Sequence, residues 1–327
     1  MDRVGFRELL ITRKLNEEQI NASIALAERF EAYLGAQTGI PDAITTWKFC
    51  KILIQEGSNT FDNLLAIGRY GLFIKNTAIY VAILEVLDGA EVQPNLYEKV
   101  GTLFGGRVRD EVFAGIGVSP MGLPPAEKPF DMFPVIDRLI AKLGYEQVEL
   151  LLAACLRDLP EEYYLDDRQK YIELADIDEY LKYKHQSLVK RLENCQQEGK
   201  LFFSQEINED VVQYVRERPE IESGVRQGDI LYISKIPYNT IKFLAENDPT
   251  LKRYYACHCP WVREGIKQGN IKLNPIFCNC SGGYSKRPWE IIFKQRLKME
   301  VLESVLLGNL QCRFAIHLPD TLTVGGD

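Results

Sequence analysis

The pattern of hydrophobic and polar positions divides the chain into a helical first part and a mixed second part. In the first part, apolar side chains recur at helical spacing, in runs separated by polar and glycine-containing turns. One helix has a clear start, because Asn16 can cap it and Gln19, three residues later, completes a capping box. The pattern predicts a helical domain over residues 1–118.

A proline-rich segment, "SPMGLPPAEKPFDMFP" at residues 119–134, interrupts the helical pattern. It contains five of the fifteen prolines and no sustained apolar periodicity, which is typical of an ordered or semi-rigid linker. The glycines just before it do not have the spacing of a dinucleotide-binding loop. We therefore predict a boundary here, with a second domain over residues 135–327.

The second domain combines helical and strand-like patterns. Asp176 can cap a helix over residues 174–198, and Gly199 can end it. Short strand-like and helical runs follow, and a later amphipathic helix, "SKRPWEIIFKQRL", has Pro288 near its start. We predict an α+β fold, in which a mostly helical N-terminal domain precedes a domain whose small antiparallel sheet packs against helices.

The clearest element is a closing β-hairpin. Two alternating runs flank the dipeptide Gly308-Asn309, which suits a two-residue turn and places Glu303 opposite Phe314. Glu303 then lies within an otherwise apolar row, where a carboxylate must be paired, hydrogen-bonded or protonated. Two interpretations stay open: a structural glutamate, or one that binds a ligand or a metal ion.

Composition narrows the classes of partner. Hydrophobic residues make up 46% and charged residues 26%, as in ordinary globular proteins. The net charge of −7 opposes binding to a phosphate backbone, so we expect no nucleic acid partner. No apolar run is long enough to span a bilayer, and no apolar leader is evident, so we expect no membrane partner and a cytoplasmic location. In that compartment the eight cysteines should be thiols or metal ligands.

Four of the cysteines form two Cys-x-Cys pairs, and four thiolates can complete a tetrahedral site for zinc, with iron as the second candidate metal. One intervening residue is unusual, because structural zinc sites normally have two to four. His258, inside the first pair, is a further candidate ligand, although an extended chain would point it away from the two sulfurs. The four cysteines are Cys257, Cys259, Cys278 and Cys280.

Two other interpretations of the cysteines stay open. Cys259 directly precedes a predicted helix at residues 260–268, and a helix N-terminus would lower its pKa and make it a nucleophile. His258, Arg263 and Glu264 are near enough in sequence to assist. The third interpretation is that the thiols are simply buried beside a ligand pocket.

The C-terminal motifs "CHCPWVRE", "FCNCSGGYSKRPWEIIF" and "EVLESVLLGNLQCRFAIHLP" resemble the end of the 4-vinyl reductase-type domain superfamily. In that group a Gly/Cys-rich segment and a helix precede a hairpin of the form Glu…Gly…Cys-x-Phe. The resemblance covers about residues 200–320. The matching residues here are Glu303, Gly308, Cys312 and Phe314.

This resemblance implies a small α/β module with an apolar pocket for small ligands. Related bacterial proteins are described as L-2-amino-thiazoline-4-carboxylic acid hydrolases. The chain departs from the pattern at one position, because the cysteine three residues after the glutamate is replaced here, near Leu306. A bacterial family with this C-terminal core is the expected match, and no activity follows from it.

Three functions are therefore expected as alternatives. The first is a small-ligand-binding or sensor-like protein with a cysteine-based metal site. The second is a hydrolase of C–N or C–S bonds, in which metal-bound water or the Cys259 thiolate attacks and Glu303 transfers the proton. The third is an interaction module with a structural metal, in which the helical half is a docking surface for a partner or forms a homodimer. The residues expected to contact a small-molecule ligand are Glu303, Cys312, Phe314, Trp261 and Arg263.

Overall fold

A computed structural model of the chain describes residues 1–36, 41–128, 132–320 and 322. The chain divides into two compact units, residues 1–90 with 117–129 and residues 91–116 with 130–327. Residues 91–116 pack with the C-terminal unit, whereas the sequence pattern grouped them with the preceding helices. The predicted domain boundaries stay a prediction, and residues 129–131 of the predicted linker lie outside the described residues.

The first unit is built from amphipathic helices around an apolar core. The predicted capping box is confirmed, since the Asn16 side chain accepts a hydrogen bond from the Gln19 N–H at 2.9 Å and the Gln19 side chain accepts one from the Asn16 N–H at 3.1 Å. Phe6, Phe30 and Phe49 are fully buried in its core. Its helices are α1 (Arg3–Thr12), α2 (Glu17–Gly35), α3 (Ala43–Gln55), α4 (Phe61–Phe73) and α5 (Thr77–Leu87).

The second unit contains further helices and a sheet. The predicted long helix is confirmed as α11, because Asp176 caps it by accepting from two backbone N–H groups and Gly199, in the left-handed conformation, ends it. Its helices are α6 (Val92–Phe104), α7 (Gly106–Val112), α8 (Met132–Leu143), α9 (Tyr145–Leu152), α10 (Leu165–Leu174), α11 (Ile177–Glu198), α12 (Glu209–Arg216), α13 (Thr240–Ala245), α14 (Pro249–Ala256), α15 (Pro260–Gln268) and α16 (Cys278–Phe293).

The sheet has four strands in the order β1-β2-β4-β3, and every neighbouring pair is antiparallel. Leu231, Phe314 and Ile316 are buried in a core that Trp289 of α16 shares, so the sheet packs against helices. This arrangement confirms the predicted α+β fold with its helical N-terminal part. The strands are β1 (Val225–Gln227), β2 (Ile230–Ser234), β3 (Met299–Glu303) and β4 (Arg313–His317).

The closing hairpin forms, but its predicted register is wrong. Glu303 pairs with Arg313 instead of Phe314, after a β-bulge between Val301 and Glu303. A longer connection, residues 304–312, replaces the tight turn at Gly308-Asn309. Its backbone hydrogen bonds are satisfied locally: the Ser304 hydroxyl accepts from the Leu307 N–H at 3.1 Å, and the Asn309 side chain accepts from the Ser304 N–H at 3.2 Å.

Helix α16 begins earlier than predicted. It starts at Cys278, so that Pro288 lies inside the helix instead of near its start. The pattern predicts the amphipathic helix only from "SKRPWEIIFKQRL" onward, and the structure adds residues 278–284 to its start.

The glycines serve close packing on two sides of α16. A Cβ atom at Gly282 would collide with the Met299 side chain of β3, and one at Gly283 would lie 2.7 Å from the carbonyl oxygen of Ala153 and 3.0 Å from the backbone nitrogen of Cys155. At Gly283 the colliding atoms belong to the backbone and cannot rotate away, whereas at Gly282 the end of the Met299 side chain would have to move. The helix is therefore held directly against the sheet on one side and against the segment after α9 on the other.

Among the described residues, no helix combines the length and the apolar character needed to cross a bilayer.

We expect Gly283→Ala to lower the free energy of unfolding by about 1–3 kcal/mol, because the new methyl group meets backbone atoms that cannot rotate away. The matched control is Gly106→Ala at the first residue of α7, where a Cβ would meet only the end of the Arg109 side chain at 3.8 Å. Urea denaturation measures both variants. Equal stability of the two variants would contradict the close packing of α16.

Candidate functional site

The first Cys-x-Cys pair lies in an extended segment between two helices. Cys257 follows α14, and Cys259 is the N-cap residue of α15, which confirms the helix predicted at residues 260–268. Successive side chains of an extended chain point to opposite sides, so Cys257 and Cys259, which are two residues apart, point to the same side. His258 lies against the backbone, with Nε2 2.5 Å from the carbonyl oxygen of Ile236.

The second pair has a different geometry, because both of its cysteines lie in α16. Residues two apart on a helix are separated by about 200° around its axis and do not face each other. Cys278 interacts with the Ser304 hydroxyl and the Leu306 backbone in the hairpin connection, whereas Cys280 interacts with Arg157 and Cys155. The extended conformation in which the two cysteines of a pair share one side therefore occurs in the first pair and not in the second.

Cys312, predicted as a ligand contact, belongs to the group of thiols. It precedes β4 and lies within electrostatic range of both Cys257 and Cys278. Cys259 interacts in the same way with Cys257, Cys278 and Cys280. Four thiols from three separate segments thus converge in the second unit, and we refer to this group as the thiol cluster. Its members are Cys257, Cys259, Cys278 and Cys312.

Burial dominates the acidity of these thiols. It raises the pKa of Cys257, Cys259 and Cys312 above the ordinary value, and it raises the pKa of Cys278 to about 12. The expected lowering of the Cys259 pKa by the start of α15 is wrong, because the opposing effect of the Trp261 N–H is smaller than that of burial. All eight cysteines are free thiols.

Cations lie beside the thiol cluster. Arg263 is buried, with 3% of its surface exposed, and its guanidinium lies 3.8 Å from the centre of the Tyr238 ring. Arg263 interacts electrostatically with Cys257, and Lys235 does so with Cys312. The cluster is therefore apolar in its packing but has positive charge at its edge.

The remaining predicted ligand contacts occupy different surroundings. Trp261 is buried and packs edge-on against Phe277, with 5.8 Å between ring centres. Phe314 is fully buried in the core between the sheet and α16. Glu303 is half-buried at the end of β3, where its Oε2 accepts a hydrogen bond from Gln311 at 3.0 Å. Glu303 also interacts electrostatically with Cys312.

Cys155 was not predicted as a site residue. It follows α9 with a left-handed backbone, φ 51°, and its thiol donates to the carbonyl oxygen of Arg157 at 3.7 Å. It also lines a surface pocket of about 450 Å³. The local sequence of Cys155 contains no motif that indicates a site residue. Cys155 comes near α16 only because Gly283 packs closely against its backbone.

Among the described residues, no three Cys, His, Asp or Glu side chains are close enough together to form a ready-made metal site. Three members of the thiol cluster, Cys257, Cys259 and Cys312, belong to or pack against one apolar core. The zinc and iron assignments stay predictions.

The two glutamates near β4 should respond differently to substitution. Glu220 forms a two-point ion pair with Arg313, at 2.6 and 3.1 Å, and accepts from the Ser234 hydroxyl at 2.5 Å. We expect Glu220→Gln to lower the free energy of unfolding by about 1.5–3 kcal/mol, and Glu303→Gln by less than about 1 kcal/mol because the glutamine can still accept from Gln311. Urea denaturation compares them. A larger loss in Glu303→Gln would show that Glu303 carries the structural role.

The pKa of Cys280, which burial raises to about 11, predicts the pH dependence of its alkylation. Only the thiolate reacts, so the rate with iodoacetamide should rise about tenfold per pH unit from pH 7 to pH 10. The rate for each cysteine is measured by peptide mass spectrometry on folded protein with a chelator present. In urea the rate should level off near pH 8.5. A plateau near pH 8.5 in the folded protein would contradict the effect of burial.

Comparison with known proteins gives one match. Residues 237–323 match the model of a family of unknown function, DUF6144. The match spans α13 to β4 and includes every member of the thiol cluster, but it covers less than half of the chain. No curated protein and no solved structure matches the chain. The resemblance to 4-vinyl reductase-type domains stays a prediction.

Proposed function

We propose that the second unit is a metal-binding module whose thiol cluster holds one ion, with zinc as the first candidate and iron as the second. The observation that carries this proposal is that four free thiols from three segments distant in sequence, one buried and three partly buried, each lie within electrostatic range of another member of the group. Four thiolates are the ligand set of a structural zinc site.

The surroundings of the cluster favour a thiolate-bound ion. Four thiolates on a divalent ion carry excess negative charge, and Arg263 and Lys235 lie where they offset it. The cluster borders an apolar core that includes Trp261 and Phe277 and excludes water. Because a metal binds the thiolate form, the raised pKa of the free thiols makes the affinity rise with pH.

The choice of the fourth ligand follows from the geometry of α16. Cys278 is on the side of the helix that faces the hairpin connection, and Cys312 interacts with both Cys278 and Cys257. Cys280 interacts with Cys259 and Cys278 as well as with Cys155 and Arg157, but its position on α16 turns it about 200° around the helix axis from Cys278. We therefore assign Cys312 to the ligand set in place of Cys280.

A closed four-thiolate site determines the kind of function. It leaves no open position for an activated water molecule, so it serves structure or metal-dependent sensing and does not serve hydrolysis. The ion would join the α14–α15 segment, the start of α16 and the residue before β4. Its loss would loosen the hairpin, so that the metal content controls the conformation of the C-terminal end of the unit.

Metal content is the direct test. The chain is purified without an affinity metal column and its metal is measured by mass spectrometry, for the unaltered protein and for four variants. We expect about one ion per chain in the unaltered protein, and its loss in Cys278→Ser and Cys312→Ser. The ion should be retained in Cys280→Ser. The matched control is Cys195→Ser on α11, whose thiol donates to the Leu201 carbonyl oxygen at 3.9 Å and is not a member of the thiol cluster.

A count of reactive thiols, with and without a chelator, accompanies the metal analysis. The chelator should expose four additional thiols in the unaltered protein and none in Cys312→Ser. If the unaltered protein contains no metal even after incubation with zinc at pH 8, the proposal is wrong. If Cys280→Ser loses the ion and Cys312→Ser keeps it, the assignment of the ligand set is wrong.

A further inference from the structure

A short turn at the start of the hairpin connection lies against the thiol cluster. It consists of residues 304–306, and we refer to it as the donor turn. Ser304 is fully buried, and its carbonyl oxygen accepts from the N–H groups of Leu307 and Asn309 at 3.0 and 3.1 Å. The Ser304 N–H in turn donates to the Asn309 side chain. The donor turn is therefore closed by its own hydrogen bonds.

The donor turn carries hydrogen-bond donors toward two of the proposed metal ligands. The Ser304 hydroxyl and the Leu306 N–H both lower the pKa of the Cys278 thiol, against the larger effect of burial. The Val305 N–H does the same to the thiol of Cys312. Groups that donate to sulfur favour the thiolate, which is the form that binds a metal ion. One short segment thus serves two ligands that are distant from each other in sequence.

The Ser304 hydroxyl is oriented for this role. Its oxygen accepts a hydrogen bond from the Leu307 N–H at 3.1 Å. A hydroxyl has one proton and two acceptor lone pairs, so this bond leaves the proton available for the Cys278 sulfur. Because Ser304 is fully buried, water does not compete for that proton.

Arg253 anchors the donor turn to α14. Its Nε and Nη2 both donate to the carbonyl oxygen of Val305, at 3.2 and 2.8 Å. The backbone carbonyl oxygen of Arg253 accepts from the Cys257 N–H at 3.1 Å. The side chain of one residue therefore holds the donor turn while its backbone holds the segment that carries the first proposed ligand. Two bonds from a planar guanidinium also fix the direction of this contact.

The other members of the thiol cluster have donors of the same kind. The Cys259 N–H acts on the thiol of Cys257, and the Trp261 N–H acts on the thiol of Cys259. The largest influences on Cys280 are instead burial and nearby charges. The hydrogen-bond donors therefore follow the ligand set assigned above, in which Cys280 has no part.

We propose that the donor turn regulates the affinity of the metal site, with Ser304 and Arg253 as its positioning residues. Ser304 directs its hydroxyl to the Cys278 thiolate, and Arg253 keeps the turn in place. This inference rests on the proposed function and adds the element that controls the site. Hydrogen bonds to metal ligands are worth about 10–100-fold in metal affinity. Because such coupling is reciprocal, displacement of the hairpin connection would weaken metal binding by the same factor by which metal release favours the displacement.

The test measures the affinity of the full chain for Co²⁺ and Zn²⁺, by competition with a chromophoric chelator at pH 8. The variants are Ser304→Ala and Arg253→Gln. We expect each variant to bind both ions about tenfold more weakly than the unaltered protein. The sulfur-to-cobalt charge-transfer band should also move to longer wavelength in both variants, because a sulfur that loses a hydrogen bond donates more strongly to the metal ion.

The matched control is Thr240→Val. Thr240 is also fully buried, and its hydroxyl, in α13, donates to the Pro237 carbonyl oxygen at 3.2 Å and belongs to neither the donor turn nor the thiol cluster. Like Ser304→Ala, this substitution removes one buried hydroxyl. We expect the metal affinity and the band position to stay unchanged, while urea denaturation reports the stability that each variant loses.

Three results would overturn the inference. If the unaltered protein binds metal and both variants keep its affinity and band position, the donor turn has no role and the proposed function stands. If affinity falls equally in Thr240→Val and no band moves, the loss reflects stability alone. If the unaltered protein binds neither ion, the inference and the proposed function are both wrong. If Ser304→Ala does not fold, Arg253→Gln decides by the same criteria.

Discussion

The close approach of α16 to its neighbours is the constraint on which the second unit depends. Two adjacent glycines, Gly282 and Gly283, let the helix backbone touch the sheet on one side and the segment after α9 on the other. A side chain at Gly283 would meet backbone atoms and push these layers apart, and one at Gly282 would displace the end of the Met299 side chain. The same contact orients the whole helix, so it directs Cys278 toward the hairpin connection and Cys280 toward Cys155. The different surroundings of Cys278 and Cys280 are therefore two consequences of one packing contact.

The chemistry of the site reflects a balance between burial and charge. Burial favours neutral thiols, which is why their pKa values are raised, while Arg263 and Lys235 at the edge of the cluster favour thiolates. A bound cation would reverse this balance, because a metal ion stabilises thiolates far more strongly than a nearby guanidinium does. In the proposed metal site, the thiols would therefore be neutral without the metal ion and would be thiolates with it.

The errors in predicting the site had one common source. Segments were assigned an extended conformation or a tight turn from their own residues alone. The first Cys-x-Cys pair is extended, as its position between α14 and α15 requires. For the second pair, the predicted helix began at "SKRPWEIIFKQRL" and left "CNCSGG" outside it, whereas in the structure both glycines lie in the helix and allow it to pack closely. The hairpin register failed similarly, since a β-bulge and side-chain hydrogen bonds in residues 304–312 replaced the dipeptide turn.

Features that depend on residues close together in sequence could be predicted from the sequence alone. The capping box at Asn16, the cap of α11 at Asp176, the helix after Cys259 and the closing hairpin all rest on local hydrogen bonds and periodicity. The choice between Cys280 and Cys312, and the entry of Cys155 into the site, rest on contacts between residues far apart in sequence. Packing decides such contacts, because no local preference specifies which face of a helix meets which distant segment.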